Sequence, residues 1–198
     1  GPLRKLDNTE IFSIYNPNIW HMFSNPEAMK MRDELSWVRW KDIDIPILTN
    51  SCALGIRQIG RLLMMDKSAA FMSRVEQEIN AAKSGLTNTV NVHIFAGLSG
   101  STGSGCFLDV CYMARHIADK LGGATVFGYF FMPEVNLSVM PMPFSRYRDY
   151  IFRNAYAAMQ ELDYCMQLPG NNGAFTQKYQ NGQEISWDRP PVDVCFLL

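Results

Sequence analysis

A chain of 198 residues is long enough for one domain with a sizeable core, and needs no covalent staples to fold. Its 18 basic and 19 acidic side chains leave a formal charge of −1. That balance offers neither the basic stripe of a nucleic-acid-binding protein nor a polybasic patch for an acidic membrane. Five cysteines (Cys52, Cys106, Cys111, Cys165, Cys195) sit mostly in apolar segments without C-x-x-C spacing, so they read as buried free thiols of a reducing compartment. With only three histidines (His21, His93, His116), no zinc site is expected. No apolar run approaches the ~20 residues that span a bilayer and no signal peptide is visible, which makes a soluble cytoplasmic protein the expectation.

The chain opens on Gly1-Pro2 without an initiator methionine, the remnant that a cleaved purification tag leaves, so a piece of a longer protein is expected. "IFSIYNPNIW" (11–20) alternates as a short strand entering an Asn-Pro turn. "NPEAMKMRDELSW" predicts a helix over about 26 to 37, with Asn25 as N-cap and Pro26 at its first position. "IDIPILTNSCALG" reads as extended, with Pro46 favouring an edge, and ends near Gly55. Helical spacing then runs from Arg57 to about Ala82, placing Ile59, Leu62, Leu63, Ala70, Met72, Val75, Ile79 and Ala82 on a buried face, with a break near Lys67-Ser68.

"TVNVHIFAG" (89–97) is a β-branched run suited to a buried strand, and "ATVFGYFFMP" (124–133) is another. Between them Phe107, Val110, Cys111, Ala114, Ile117 and Leu121 recur at helical steps until Gly122-Gly123 stops the helix. Strand, loop, helix and strand make a βαβ unit, which implies parallel strands and a right-handed crossover. "PEVNLSVMPMPFS" (133–145) reads as a loop, and a helix follows over about 146 to 167 with Ile151, Ala155, Ala158, Leu162 and Cys165 on one face. "FTQKYQNGQEISW" predicts a hairpin around Asn181-Gly182, and "VDVCFLL" a last core strand.

The loop "AGLSGSTGSG" (96–105) joins the first strand of the βαβ unit to its helix, where α/β proteins bind ligands at the carboxyl ends of their strands. The first helical turn there offers unpaired N–H groups and the positive end of the dipole, so an anion, phosphate above all, is the natural guest. The hydroxyls of Ser99, Ser101, Thr102 and Ser104 would add donors; the plainer alternative is a βα turn capped by Thr102 or Ser104. Three common motifs fail. No lysine follows Gly105 as a P-loop requires, Leu108 stands where a dinucleotide fingerprint needs its third glycine, and Ser101 stands where a nucleophile elbow needs its last.

What does fit is the tubulin and bacterial cell-division GTPase signature, which "SGSTGSG" (99–105) resembles, with strand before it and helix after. Ser99 and Ser101 replace two glycines of that signature, so their backbones must avoid positive φ. "GIRQIGR" (55–61) is similar to the family's loop at the γ-phosphate, "FFMPEVN" (130–136) to the strand and loop that pass the ribose, and "RNAYAAMQELD" (153–163) to the helix after it. The resemblance implies an α/β fold with a mainly parallel, doubly wound (Rossmann-like) sheet, helices on both faces and a small hairpin. It implies a phosphate cradle of Gly97, Leu98, Ser99, Gly100, Ser101, Thr102, Gly103, Ser104 and Gly105. Gly55, Arg57 and Arg61 would lie toward the γ-phosphate, and Pro133, Glu134 and Asn136 along the sugar.

GTP or GDP with Mg²⁺, filament or homo-oligomer formation, and hydrolysis at subunit contacts follow as the family's activities. Residues 1–50 lack the family's first G-x-G-G-x-G loop, and neither the base-stacking helix nor the activating acidic loop is present, so 1–198 reads as the middle of one such domain, nearly inert alone. The rival is a scaffold that keeps the fold without turning nucleotide over; a hydrolase using Ser101 or Ser104 is more remote. Among smaller candidates, Asp109 is assigned to the helix dipole, the surface or a magnesium ion, His93 to core packing and His116 to a solvated face. "LLMM" (62–65) is assigned to core, and the methionines of "SVMPMPFS" (138–145) to a subunit contact.

Overall fold

The computed structural model describes residues 6–25, 29, 32–39, 55–85, 90–139 and 145–198. Its centre is a helix, α4 (Thr102–Lys120), which buries residues on nearly every side: Cys106, Phe107, Cys111, Tyr112, Met113, Ala114, Ile117 and Ala118. A helix apolar all round must be enclosed, and the other elements are arranged to enclose it. They are α1 (Ile19–Ser24), α2 (Arg57–Met65), α3 (Ser68–Gly85), β1 (Asn91–Gly97), β2 (Thr125–Phe131), α5 (Pro133–Val139), α6 (Ser145–Met166), β3 (Phe175–Lys178), β4 (Glu184–Trp187) and β5 (Val194–Leu197).

Strands β1, β2 and β5 form a three-stranded sheet in the order β1-β2-β5. Both pairings are parallel, from Asn91↔Thr125 to Gly97↔Phe131 and from Phe127↔Val194 to Phe130↔Leu197. The α/β architecture, the parallel sheet and the small antiparallel hairpin β3-β4 are those expected from the sequence. Ile94, Val126 and Phe130 face α4 and α6, packing on Phe107, Cys111, Ala114, Ala155, Ala158 and Leu162. The alternate residues of the strands make a row of rings on the other face: His93 on Phe127 at 4.9 Å, Phe95 on Tyr129 at 4.5 Å, and Tyr129 on Phe196 at 4.9 Å. Among the described residues, the helices packed on the sheet lie on the first face.

Local chemistry sets the joints. Helix α2 ends at Asp66, and the buried Ser68 hydroxyl donates to the Met65 carbonyl at 2.9 Å as α3 begins, which is the break expected near Lys67-Ser68. After α4, Gly122 and Gly123 take φ of 98° and 88°, and the Gly123 N–H reaches back to the Ala118 carbonyl at 2.8 Å, closing the helix as glycine allows. Asn181 and Gly182 hold φ of 62° and 69° in the hairpin turn. The hairpin leans on α4 through buried Tyr179 and Ile185, with Phe175 stacked on Tyr112 at 3.9 Å.

Several expectations are corrected. Residues 11–16 form no strand, and the next residues make α1. Residues 43–54, expected to be extended, lie outside the described residues, as do 26–28, 30 and 31 of the helix expected over 26 to 37; within the rest of that stretch Met29 is helical and Asp33–Leu35 is one 3-10 turn followed by a turn. Ala70 and Ala82 are exposed, because α3 starts afresh after the break and turns Ser68, Met72 and Ile79 inward. Pro133 opens α5 instead of a loop, since proline at a first helical position gives up an N–H that had no acceptor there. Residues 140–144, with the methionines expected at a subunit contact, lie outside the described residues.

Candidate functional site

The parallel strands end together, and their carboxyl ends carry the two sequence segments singled out there. The Leu98 N–H donates to the Phe131 carbonyl at 3.0 Å, so the glycine loop leaves β1 directly beside the start of α5, where Pro133 is buried and Glu134 exposed. Leu98 is wholly buried and anchors the loop. The backbone then rises to Gly100, which is exposed, and enters α4 at Ser101 with φ −86° and ψ −49°. Ser99 and Ser101 keep negative φ, as a non-glycine residue prefers. No side chain caps α4, so neither Thr102 nor Ser104 is the N-cap. The first bond within the helix runs from the Gly105 N–H to the Ser101 carbonyl at 3.0 Å, which leaves the first-turn N–H groups without an intrahelical acceptor.

Where a Cβ would stand on Gly97 or Gly100 there is open space. Ser99 is 1% exposed, and its buried hydroxyl has no hydrogen-bond partner among the described residues. The other two glycines serve packing. A Cβ on Gly103 would stand 2.9 Å from the Gly97 carbonyl oxygen, and one on Gly105 would overlap the Arg57 carbonyl. Gly60 of α2 is pressed in the same way against the Ser101 backbone, so α2 and α4 cross with little but main chain between them.

Asn154 of α6 joins the loop to the segment before α2. Its side-chain amide donates to the Gly55 carbonyl at 2.9 Å and to the carbonyls of Ser99 and Gly100 at 3.3 Å each. Gly55, at φ 82°, is thereby linked to the glycine loop through one side chain. Nothing in the pattern of "RNAYAAMQELD" singled out Asn154; an Asn at the edge of an otherwise alanine-lined buried face is the signal that was there.

Both arginines of α2 are committed to protein partners. Arg57 donates through Nε to the Ser104 hydroxyl at 2.8 Å, through Nη2 to the Ser104 carbonyl at 2.7 Å, and through Nη1 to Glu161 at 2.8 Å. Arg61 makes a two-pronged pair with Asp109 at 2.7 and 3.1 Å, donates to Gln177 at 2.8 Å and lies over the Trp37 ring at 4.3 Å. Asp109 is 1% exposed and also accepts from the Tyr179 hydroxyl at 3.0 Å, so it is a buried anchor and not a surface or metal-side carboxylate. Burial and Asp109 push the Tyr179 hydroxyl well above its ordinary range. Arg57, Arg61, Asp109 and Glu161 line a cavity of about 470 Å³ with Trp37, Tyr164 and Phe175 on the flank of α4.

The histidines exchange their expected settings. His93 is exposed in the ring row, 3.2 Å from the Tyr129 hydroxyl, while His116 is half-buried against Gln183 and Trp187. Cys106, Cys111, Cys165 and Cys195 are free; burial pushes the Cys106 thiol up to about 12, far from reactivity. Among the described residues no group of His, Cys, Asp or Glu would hold a metal ion, and no helix is long and apolar enough to cross a membrane.

A glycine-rich loop on a parallel strand, opening a helix beside a second strand end, is the arrangement that the resemblance implied. The family model described as tubulin-like matches residues 2–198. The chain belongs to the tubulin-like family. No curated protein and no solved structure matches it. For this tubulin-like chain the family fixes the architecture, while the ligand has to be argued from the loop.

Proposed function

We propose that this chain forms the phosphate-holding side of a tubulin-like nucleotide site and that the protein binds GTP or GDP and self-assembles. The observation that carries the reading is the loop from Gly97 to Gly105, where backbone N–H groups at the start of a nineteen-residue helix lie beside open space at Gly97 and Gly100, and the neighbouring Ser99 hydroxyl is buried without a partner among the described residues. That donor set fits phosphate, because unpaired N–H groups and the positive end of the dipole favour an anion that the backbone can approach closely. Pro133 and Glu134, at the neighbouring strand end, stand where a sugar would continue from the phosphates. The Ser104 hydroxyl is already engaged by Arg57 and supports the loop from behind.

A magnesium ion would be held through the phosphates of the nucleotide, where it would neutralise developing charge, and no side chain of this chain is named as its ligand. Hydrolysis, where it occurs, would rest on positioning and electrostatic stabilisation, to which this chain contributes the oriented N–H groups. One observation favours a second reading, a tubulin-like scaffold that binds without turnover: the two cations of α2 are saturated by Glu161, Ser104, Asp109 and Gln177.

A thermal-shift titration of the intact protein tests the reading. At 100 times its dissociation constant a ligand adds about 2.7 kcal/mol to folding stability, so GTP should raise the melting temperature in a concentration-dependent way. Stabilisation with phosphate release points to the GTPase, stabilisation without release to a binding scaffold, and no shift with any nucleotide removes the proposal.

A further inference from the structure

With the glycine loop taken as a phosphate site, we propose that Asn154 is the positioning residue that makes it one, by holding two loop carbonyls inward and so turning the next two N–H groups toward the ligand. The amide nitrogen of Asn154 faces three carbonyl oxygens, those of Gly55, Ser99 and Gly100, at 2.9, 3.3 and 3.3 Å. An amide oxygen in that place would face three acceptors, so the surroundings fix which way the side chain points. Asn154 is 9% exposed, and its own backbone carbonyl accepts from the Ser104 hydroxyl at 3.4 Å, which fastens α6 to the loop from a second direction.

The peptide group converts this grip into ligand geometry. A trans peptide is planar, with its C=O and N–H on opposite sides. Because the Ser99 carbonyl is drawn toward Asn154, the Gly100 N–H points away from it; because the Gly100 carbonyl is drawn the same way, so does the Ser101 N–H. Neither N–H meets an acceptor among the described residues. Gly100 is exposed, with open space where its side chain would be. Two successive N–H groups turned to one side form a concave anion site, continued by the first turn of α4.

The grip is needed because glycine lets a peptide rotate at little cost. Ungripped, the peptides around Gly100 would sample orientations that offer a carbonyl to the anion, and repulsion would replace attraction. The Ser99 hydroxyl, buried and unpartnered, sits on the peptide that Asn154 orients.

The test uses the full chain, with inorganic tripolyphosphate and GTP as separate probes. Asn154→Leu keeps the approximate shape without a donor, and Asn154→Asp replaces the donor by an acceptor. Tripolyphosphate and GTP should weaken together by about tenfold or more in Asn154→Leu, an equilibrium change of about 1.4 kcal/mol, and further in Asn154→Asp. In the wild type, tripolyphosphate should shift the amide resonances of Gly100 and Ser101 more than any others in the chain, a readout that needs no variant to fold. A folded Asn154→Leu protein with unchanged affinity, or largest shifts elsewhere, overturns the proposal and leaves the nucleotide reading standing. Binding of tripolyphosphate without any nucleotide, lost in Asn154→Leu, upholds the proposal and removes the nucleotide reading. A wild type that binds neither probe removes both.

Discussion

The glycine loop and the arginine network touch the same helix, yet one leaves its polar groups open and the other closes them. Along the flank of α4, Arg57, Arg61, Asp109, Glu161, Gln177 and Tyr179 bind one another. At its start, the Ser99 hydroxyl and the first-turn N–H groups bind nothing among the described residues. Burying a polar group without a partner costs about 1 to 3 kcal/mol, which for this loop applies to the Ser99 hydroxyl, while Gly100 and Thr102 are exposed. Charged residues prominent in a sequence can thus be fully engaged by other residues of the fold, while backbone groups with no sequence signature are left free among the described residues.

The largest expected effect separates the glycines. Gly105→Ala should destabilise by about 3 kcal/mol or more, because its methyl would meet the Arg57 carbonyl where α2 and α4 cross. Gly100→Ala should change stability by less than about 1 kcal/mol, since the space is open and φ is not positive. Urea denaturation of the two variants checks this, and equal losses would erase the distinction between packing and ligand-facing glycines. For the same steric reason Gly105→Val would break the fold before it could report on binding.

Next comes the network. Arg61→Met strands the buried Asp109 carboxylate and should cost about 3 kcal/mol, much of it recovered when Asp109→Leu is added. It should also affect GTP and GDP affinity equally. A selective loss of GTP would return Arg61 to the γ-phosphate side, where the family resemblance had put it.

Ser99→Ala should act in the opposite sense. Removing an orphaned hydroxyl should leave the melting temperature unchanged or slightly higher, while tripolyphosphate weakens by about 1 kcal/mol, the worth of one hydrogen bond. A stability loss with unchanged binding would show that the hydroxyl serves the fold.

The smallest effect lies at the far end of α4. Burial pushes the Asp193 carboxyl up, but the Val126 N–H and Arg115 outweigh it and hold the group below its ordinary value. A carboxylate depressed in the folded state adds stability above its unfolded pKa and loses it as pH falls through the folded one. Melting temperature should therefore decline below about pH 4, and Asp193→Asn should flatten part of that decline. An unchanged profile in the variant would assign the acid sensitivity elsewhere.

The elements legible in the sequence are those whose burial repeats with a period. The face of α6 through Ile151, Ala155, Ala158, Leu162 and Cys165 is buried as its spacing predicts, and β1, α4, β2, the hairpin and β5 form where the sequence puts them. The burial expected of two strands is corrected: in β1 only Ile94 is buried, and β5, expected as a core strand, exposes Val194, Phe196 and Leu197 because it lies at an edge of the three-stranded sheet. Residues 11–16 alternate as well as a strand does, but among the described residues no strand pairs with them. Pro133 was read as a breaker because proline ends helices from within, although it also begins them. Of the candidate site, Gly55 entered only through the family resemblance, while the position of the loop between β1 and α4 was legible from glycine and hydroxyl content. Asn154 was not, since its role depends on which carbonyls three distant segments present to it.

By itself, then, the sequence determined the βαβ unit, the position of its glycine loop and the tubulin-like family, because periodicity and a short motif are properties of neighbouring residues. Only the tertiary structure decided which polar groups are already satisfied. Arg57 lies 104 residues from Glu161, and Arg61 lies 48 from Asp109 and 116 from Gln177, so no local pattern relates them. Whether Gly103 and Gly105 face a ligand or a helix crossing depends on where α2 and the end of β1 lie, and folding sets that by packing both against α4.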